Sequence, residues 1–509
     1  MKNKKKRKGF TLIELLAVII VLAIIALIAT PIIFNVIENA KIKSLENSCY
    51  GVIDAVRTKY AEGLLNLNKI TNGNVNELTV SGEKPIDGTW TIDNSKDSEQ
   101  RGIKIDNVRF SSMKDYACSN DLETGKVSCK KTYKDNSSAN TPILFKNMVP
   151  IKYENNKWII ADLGQKWYDY DAKEWANAVV LNSGVTKNVG DEVTEEDVAL
   201  WYVWIPRYKY TIFNGNNGSA AAQLINVTFE SGVSRTGTVT CTDNADGSET
   251  CSTITNGTST YTHPAFKFGN TELTGFWVGK FEISGSTSAI TVKPNVTSLR
   301  SQTVSSLFTA IQNVKTTYGI NNADSHMMKN MEWGAVAYLK QSKYGLGTTD
   351  IAVNTNSNFY TGGGQSDAYK TNVAQSTTGN IYGVYDMSGG AWERVMGNMK
   401  NSSNAFYSSN AGFTTAPDAK YYDSYKYDSS SNKTHARGKL GDATKETLAT
   451  FGSNTGGWYS DDAYFPVSSS PWFPRGGYYS DGTRAGVFHF GRSDGGGGNG
   501  SARAVVSAP

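Results

Sequence analysis

The chain has 509 residues, beyond the roughly 250–300 at which a single core stops growing, so two or more domains are expected. Its formal charge of +4 misleads, because Lys2, Lys4, Lys5, Lys6, Arg7 and Lys8 all precede the first apolar run; without them 45 basic residues face 47 acidic ones. That near-neutral balance excludes a nucleic-acid partner recruited by net charge, and 19% charged residues amid abundant Gly, Ser, Thr, Asn and Tyr point to a β-rich extracellular protein.

From Phe10 to Phe34 the sequence is FTLIELLAVIIVLAIIALIATPIIF, with Glu14 its only charge. As a helix this run is about 37 Å long, enough to cross a bilayer. The basic residues in 1–9 hold its start in the cytoplasm and put everything after Phe34 outside. The run is too long for an ordinary secretory signal, and no A-x-A site follows it. A carboxylate such as Glu14 inside an apolar helix needs a partner. The stretch KGFTLIELL resembles the type IV prepilin signal. That resemblance implies a leader over 1–9, cleavage by prepilin peptidase between Gly9 and Phe10, and methylation of the new N-terminus. It also implies an assembly role for Glu14, paired with the terminal amine of a neighbouring pilin subunit. Pro31 removes one helical hydrogen bond, so a kink or local melting is expected there. Beyond it, Leu45, Cys49, Val52, Ile53, Val56 and Tyr60 recur at spacings of three and four, an amphipathic continuation that ends near Leu65. The pilin helix is therefore placed over 10–66, with its membrane-spanning part over 10–34.

Short β-like runs follow, among them LTVSG, GTWTID and GIKIDNVRF, separated by Gly, Asn, Asp and Ser; a small β head over 67–135 is expected. A bridge between Cys118 and Cys129 would close it, and Cys241 with Cys251 forms a second close pair in a polar hairpin or loop. Neither pair has the CxxC spacing or neighbouring His of a zinc site, so disulfides are expected and no metal. Cys49 is left as a small buried residue on the helix face.

After a polar linker over 136–144 the aromatic content rises, with Trp158, Trp167, Trp175, Trp201 and Trp204 close together, which reads as a hydrophobic core. Four words then occur in order: TGFWVGKFEIS from Thr274, MEWGAVAYLKQSKYG from Met331, YGVYDMSGGAWERVMGN from Tyr382 and PRGGYYSDGTRAG from Pro474. Together they resemble the C-type-lectin-like fold of the formylglycine-generating-enzyme family, and more closely its non-enzymatic relatives, the variable proteins of diversity-generating retroelements. The resemblance covers roughly 145–509. The enzymes of that family use a late cysteine pair, and no Cys follows Cys251 here, so no enzyme, no catalytic residue and no cofactor are expected. His263, His326, His435 and His489 form no triad with Ser and Asp, and Glu332 and Glu393 fall in words whose counterparts are structural. The EPN, QPD and WND tripeptides of calcium-dependent sugar binding are absent.

In the variable proteins the last loops form an exposed binding face on an apolar framework. Mapped onto the variable region 475–506, the framework is Arg475-Gly476-Gly477, Ala485-Gly486-Val487-Phe488, Phe490 and Arg503-Ala504-Val505-Val506. The ligand-binding face comprises Tyr478, Tyr479, Ser480, Asp481, Thr483, Arg484, His489, Arg492, Ser493, Asp494 and Asn499, with Tyr478, Tyr479 and His489 as its leading contacts. From Tyr478 to Gly500 there is no Lys, Glu, Gln, Met or Trp. The types that occur between framework positions are those an Asn codon yields when its adenines are replaced, and they match an antibody paratope in chemistry.

The fold class expected is α+β: a long pilin helix with a small β head, then a large C-type-lectin-like domain. The function expected is that of a minor or tip type IV pilin acting as a cell-surface adhesin, membrane-held before assembly and then on an extracellular pilus, binding a surface protein or glycan. The alternative is a pseudopilin of a secretion or DNA-uptake machine whose large domain is structural.

Overall fold

The computed structural model describes residues 12–65, 70–92, 102–213, 221–320, 322–429 and 437–508, with the side chains of Ala26, Ile28, Pro31 and Ile32 left out. One α-helix, α1, runs from Leu12 to Leu65 over 54 residues. It ends where the amphipathic pattern ends, before an Asn-rich stretch that cannot continue a buried face. It passes Pro31 unbroken, so the melting expected there does not occur. A single missing hydrogen bond is carried by the turns on either side.

The two halves of α1 differ in what surrounds them. Leu12, Ile13, Leu16, Ile20, Leu22 and Phe34 are exposed, whereas Leu45, Cys49, Val52, Ile53 and Val56 are buried. Among the described residues no helix is long and apolar enough to cross a membrane.

The buried half lies on a five-stranded antiparallel meander: β1 Asn72–Asn74, β2 Pro85–Ile92, β3 Ile103–Phe110, β4 Tyr116–Asn120 and β5 Val127–Lys131, in that spatial order. Trp90, Ile105, Val108, Phe110 and Val127 meet the helix residues in a core separate from that of the rest of the chain. Each fully buried aliphatic or Phe side chain stabilises this joint by about 1.5–3 kcal/mol. Cys118 and Cys129 face each other across β4 and β5 and are joined, Cα to Cα 4.0 Å.

Residues 136–144 are packed rather than a solvated tether. Asn140 is buried; its Nδ2 donates to the Gly232 and Thr274 carbonyls (3.0 and 2.9 Å) and its Oδ1 accepts from the Gly232 amide (2.8 Å). The head also touches the larger domain through Asn74, whose Oδ1 accepts from the Val233 amide at 2.7 Å and whose Nδ2 donates to Ser234 Oγ at 2.8 Å.

The larger domain is mostly sheet. Its main sheet has eight antiparallel strands in the spatial order Asp324–Met327, Ala504–Ser507, Gly275–Gly279, Val198–Pro206, Asn177–Leu181, Met148–Glu154, Lys157–Ile160, Glu192–Val193. Every residue of the central strand VALWYVWIP is buried, because both of its faces are covered. Trp158, Trp175, Trp201 and Trp204 all lie in this core. The helix Asn330–Lys340 is buried throughout, and a Cβ on Gly334 would stand 1.9 Å from the Gly441 carbonyl oxygen, so only glycine fits that approach. A second, smaller sheet centres on Trp392–Met399, flanked by Trp472–Arg475 and Asp423–Tyr425, with Gly500–Ala502 pairing parallel to its first three residues. The chain thus leaves the small sheet at Arg475, returns to it at Gly500 and enters the main sheet at Ala504. Everything between is held at both ends.

Candidate ligand-binding cleft

The stretch from Arg475 to Val506 alternates between anchored and open residues. Arg475 is fully buried, its Nη2 donating to the Ala443 carbonyl at 2.9 Å and its guanidinium lying 5.5 Å from the Trp333 ring. Gly476 and Gly477 both turn through φ of +80°, which L side chains rarely adopt. The chain then rises into an exposed loop that closes on itself, the Tyr478 amide donating to Asp481 Oδ2 at 2.9 Å. It dives again at Ala485: Trp333 Nε1 donates to the Val487 carbonyl at 2.8 Å, Phe488 packs on Trp458 and Phe490 on Phe465. At the far end Arg503 is fully buried and paired with Glu393 (Nε to Oε2 2.9 Å), its Nη1 donating to the Gly279 carbonyl at 2.7 Å. All the residues assigned to the framework are buried.

Between these anchors opens a cleft of about 450 Å³. Of the face named from the sequence, Asp481, Arg484, His489, Arg492, Ser493 and Asn499 line it. Ser480 and Thr483 are exposed beside it, and Asp494 is held aside by Asn410 Nδ2 (2.9 Å) and the Gly496 amide (3.0 Å).

Three leading contacts need correction. His489 is buried, and its Nδ1 lies 3.0 Å from the Arg484 carbonyl, which makes Nδ1–H the donor. Burial lowers its pKa to about 4, so the ring is neutral and belongs to the floor of the cleft rather than to an open surface. Tyr478 and Tyr479 are half-buried in a cluster of rings: Tyr478 is 4.8 Å from Trp392, 4.5 Å from Tyr479 and 5.5 Å from Phe359. The Tyr478 hydroxyl accepts from Asn499 Nδ2 at 3.0 Å, and Asn499 Oδ1 accepts from Arg300 at 3.0 Å. These tyrosines brace the wall more than they present themselves. Their apolar rings found aromatic neighbours that the sequence of 475–506 does not contain.

Trp392, Arg394, Asp462 and Tyr464 also line the cleft and come from outside the expected region. For two of them a signal existed: in a strand, i and i+2 share a face, so Trp392 and Arg394 point one way while Glu393 points to the core. Arg394 joins two turns of the wall, donating to Ser493 Oγ (3.1 Å) and to the Gly497 carbonyl (3.0 Å). Asp462 and Tyr464 sit in a loop with no periodic signature.

The charges at the mouth are weakly committed. Arg484 lies 3.8 Å from Asp462 and 3.6 Å from Asp481 and is half exposed, a geometry worth little in water. Arg492 lies over the Tyr464 ring at 5.9 Å, and among the described residues no carboxylate is within ion-pair distance of it. Such a surface offers hydrogen bonds, rings and bidentate cations to an incoming molecule.

Elsewhere the ionisable groups are bound into the fold. Glu332 accepts from the Lys329 amide (2.8 Å) and lies 2.9 Å from His326 Nε2, whose Nδ1 faces Asp324 at 3.1 Å. Two groups of metal-ligating type occur among the described residues, Cys49 with Cys118 and Cys129, and Cys241 with Glu249 and Cys251. In each, two of the sulfurs are spent in a disulfide.

At the other end Gly9, Phe10 and His435 of the middle region lie outside the described residues, and Glu14 stands in the exposed first turn of α1. A family model described as the prokaryotic N-terminal methylation motif matches residues 4–30. No curated protein matches the chain. The chain therefore carries a type IV pilin-like prepilin N-terminus, which implies processing by prepilin peptidase, a membrane-held precursor and assembly with other pilins.

Proposed function

We propose that this protein is a minor or tip type IV pilin that acts as an adhesin, its larger domain built like the C-type-lectin-like variable proteins and binding a surface protein or glycan without chemistry. The observation that carries this reading is the cleft itself: six residues chosen from the sequence as a binding face converge on one concavity held by a buried framework. A scaffold fixed at Arg475 and Arg503 lets the residues between them change without loss of the fold. The size of the domain argues for a tip or minor position, since a copy on every shaft subunit would crowd the filament.

Cells lacking the chain should lose adhesion to host-cell and microbial surfaces while keeping secretion and DNA uptake. Loss of secretion or DNA uptake with adhesion intact would instead establish the pseudopilin reading.

A further inference from the structure

The head gathers three sulfur atoms. Cys49 is fully buried on the face of α1 that packs across β3, β4 and β5, one turn from Leu45 and Val52. Cys118 and Cys129 are bridged directly beneath it, and the Sγ atoms of all three lie within 4.8 Å of one another. A thiol this close to a disulfide is a nucleophile beside its electrophile. We infer that Cys49 is an exchange partner for the Cys118–Cys129 disulfide, so that the bridge can move from the β4–β5 hairpin to the joint between α1 and the sheet.

The exchange balances without any outside reagent. The Cys49 thiolate forms a bond to Cys118 Sγ as the Cys118–Cys129 bond breaks, and Cys129 leaves as a thiolate that takes up the proton Cys49 gave away. Attack on Cys129 gives the other isomer and frees Cys118. One disulfide and one thiol exist before and after.

Burial decides when this happens. Desolvation, with a smaller contribution from Glu46, pushes the Cys49 thiol up to about 12, so little thiolate exists while α1 is seated. Lifting α1 admits water and starts exchange; reseating it stops exchange. In the present arrangement packing and two hydrogen bonds, from the Tyr116 hydroxyl to Glu38 and from the Val127 amide to the Tyr50 hydroxyl, hold helix to sheet without a covalent link. In the exchanged one a covalent bond crosses the joint through which tension on α1 reaches the head. The inference rests on this core and is independent of the cleft.

The test uses the full chain in detergent, loosened with moderate urea at about pH 6 and about pH 8.5 without added thiol, then alkylated in acid and mapped without reduction. Peptides joining Cys49 to Cys118 or Cys129 should be at least about tenfold more abundant at the higher pH, with alkylation moving from Cys49 to the released cysteine. Finding only Cys118–Cys129 linked and only Cys49 alkylated at both values overturns the inference. In Cys129→Ser, oxidised glutathione should join Cys49 to Cys118; glutathione on both cysteines with no bond between them also overturns it.

Discussion

The two ends of this molecule solve opposite problems. Over Leu12–Ile25 the side chains are exposed on every side of the helix and all but Glu14 are apolar, so this segment is incomplete without lipid or other apolar helices. Over 475–506 the exposed side chains are polar and the buried ones are packed into the fold, so that stretch leaves no apolar face uncovered. The difference teaches where selection for stability acts. On the function proposed above, the exposed residues carry assembly at the N-terminus, whereas at the C-terminus the buried residues carry the fold and the exposed ones carry recognition.

Breaking the framework should have the largest effect. Arg503→Ala strands the buried Glu393 carboxylate without its partner and should cost about 3–5 kcal/mol, read as a collapse of the thermal melt. Within α1 the contrast is sharper: Leu45→Ala opens the helix–head core and should cost about 2–5 kcal/mol, whereas Leu16→Ala, on the exposed half, should leave the detergent-solubilised subunit within about 0.5 kcal/mol of the parent. Leu16→Ala should weaken filament incorporation instead.

A titration separates buried carboxylates from exposed ones. Burial raises Glu446 to about 7, although the Gly441 amide and the Tyr338 and Tyr210 hydroxyls donate to it. Between roughly pH 4.5 and 7 the folded chain therefore holds a proton there that the unfolded chain has lost, and stability falls as pH rises through that window. Glu446→Gln should remove this component, on the order of 1–3 kcal/mol, seen as a smaller drop in melting temperature from about pH 5 to about pH 8. An unchanged drop would show that Glu446 is ionised in the fold throughout. The smallest effect on stability is expected at the face: Ser480→Ala, Thr483→Ala or Arg492→Ala should each shift stability by less than about 0.5 kcal/mol.

Much of this was legible in the sequence because it is written locally. The spacing of Leu45, Cys49, Val52 and Val56 located the buried face of α1 and its end at Leu65. The turns and anchors of 475–506 were legible through the resemblance to the variable proteins, and in the fold those positions hold glycines at positive φ and buried residues. What escaped depends on packing between distant segments. Asp462 and Tyr464 reach the cleft from a loop outside the variable region, and His489 turned inward because the Arg484 carbonyl five residues earlier offered its Nδ1 a partner. The closeness of Cys49 to the disulfide likewise follows from how α1 lies across the sheet, which spacing along the chain does not record.

The central claim is that the outer residues of the cleft bind a ligand while the framework merely holds them. It is tested most directly by replacing Ser480, Thr483, Arg484, Arg492 and Asn499 together with alanine in the full chain, and measuring adhesion of cells and the melting temperature of the purified protein side by side. The account predicts at least a tenfold loss of adhesion, about 1.4 kcal/mol or more in binding, with a melting temperature close to that of the parent. Undiminished adhesion by a protein that melts normally would contradict it.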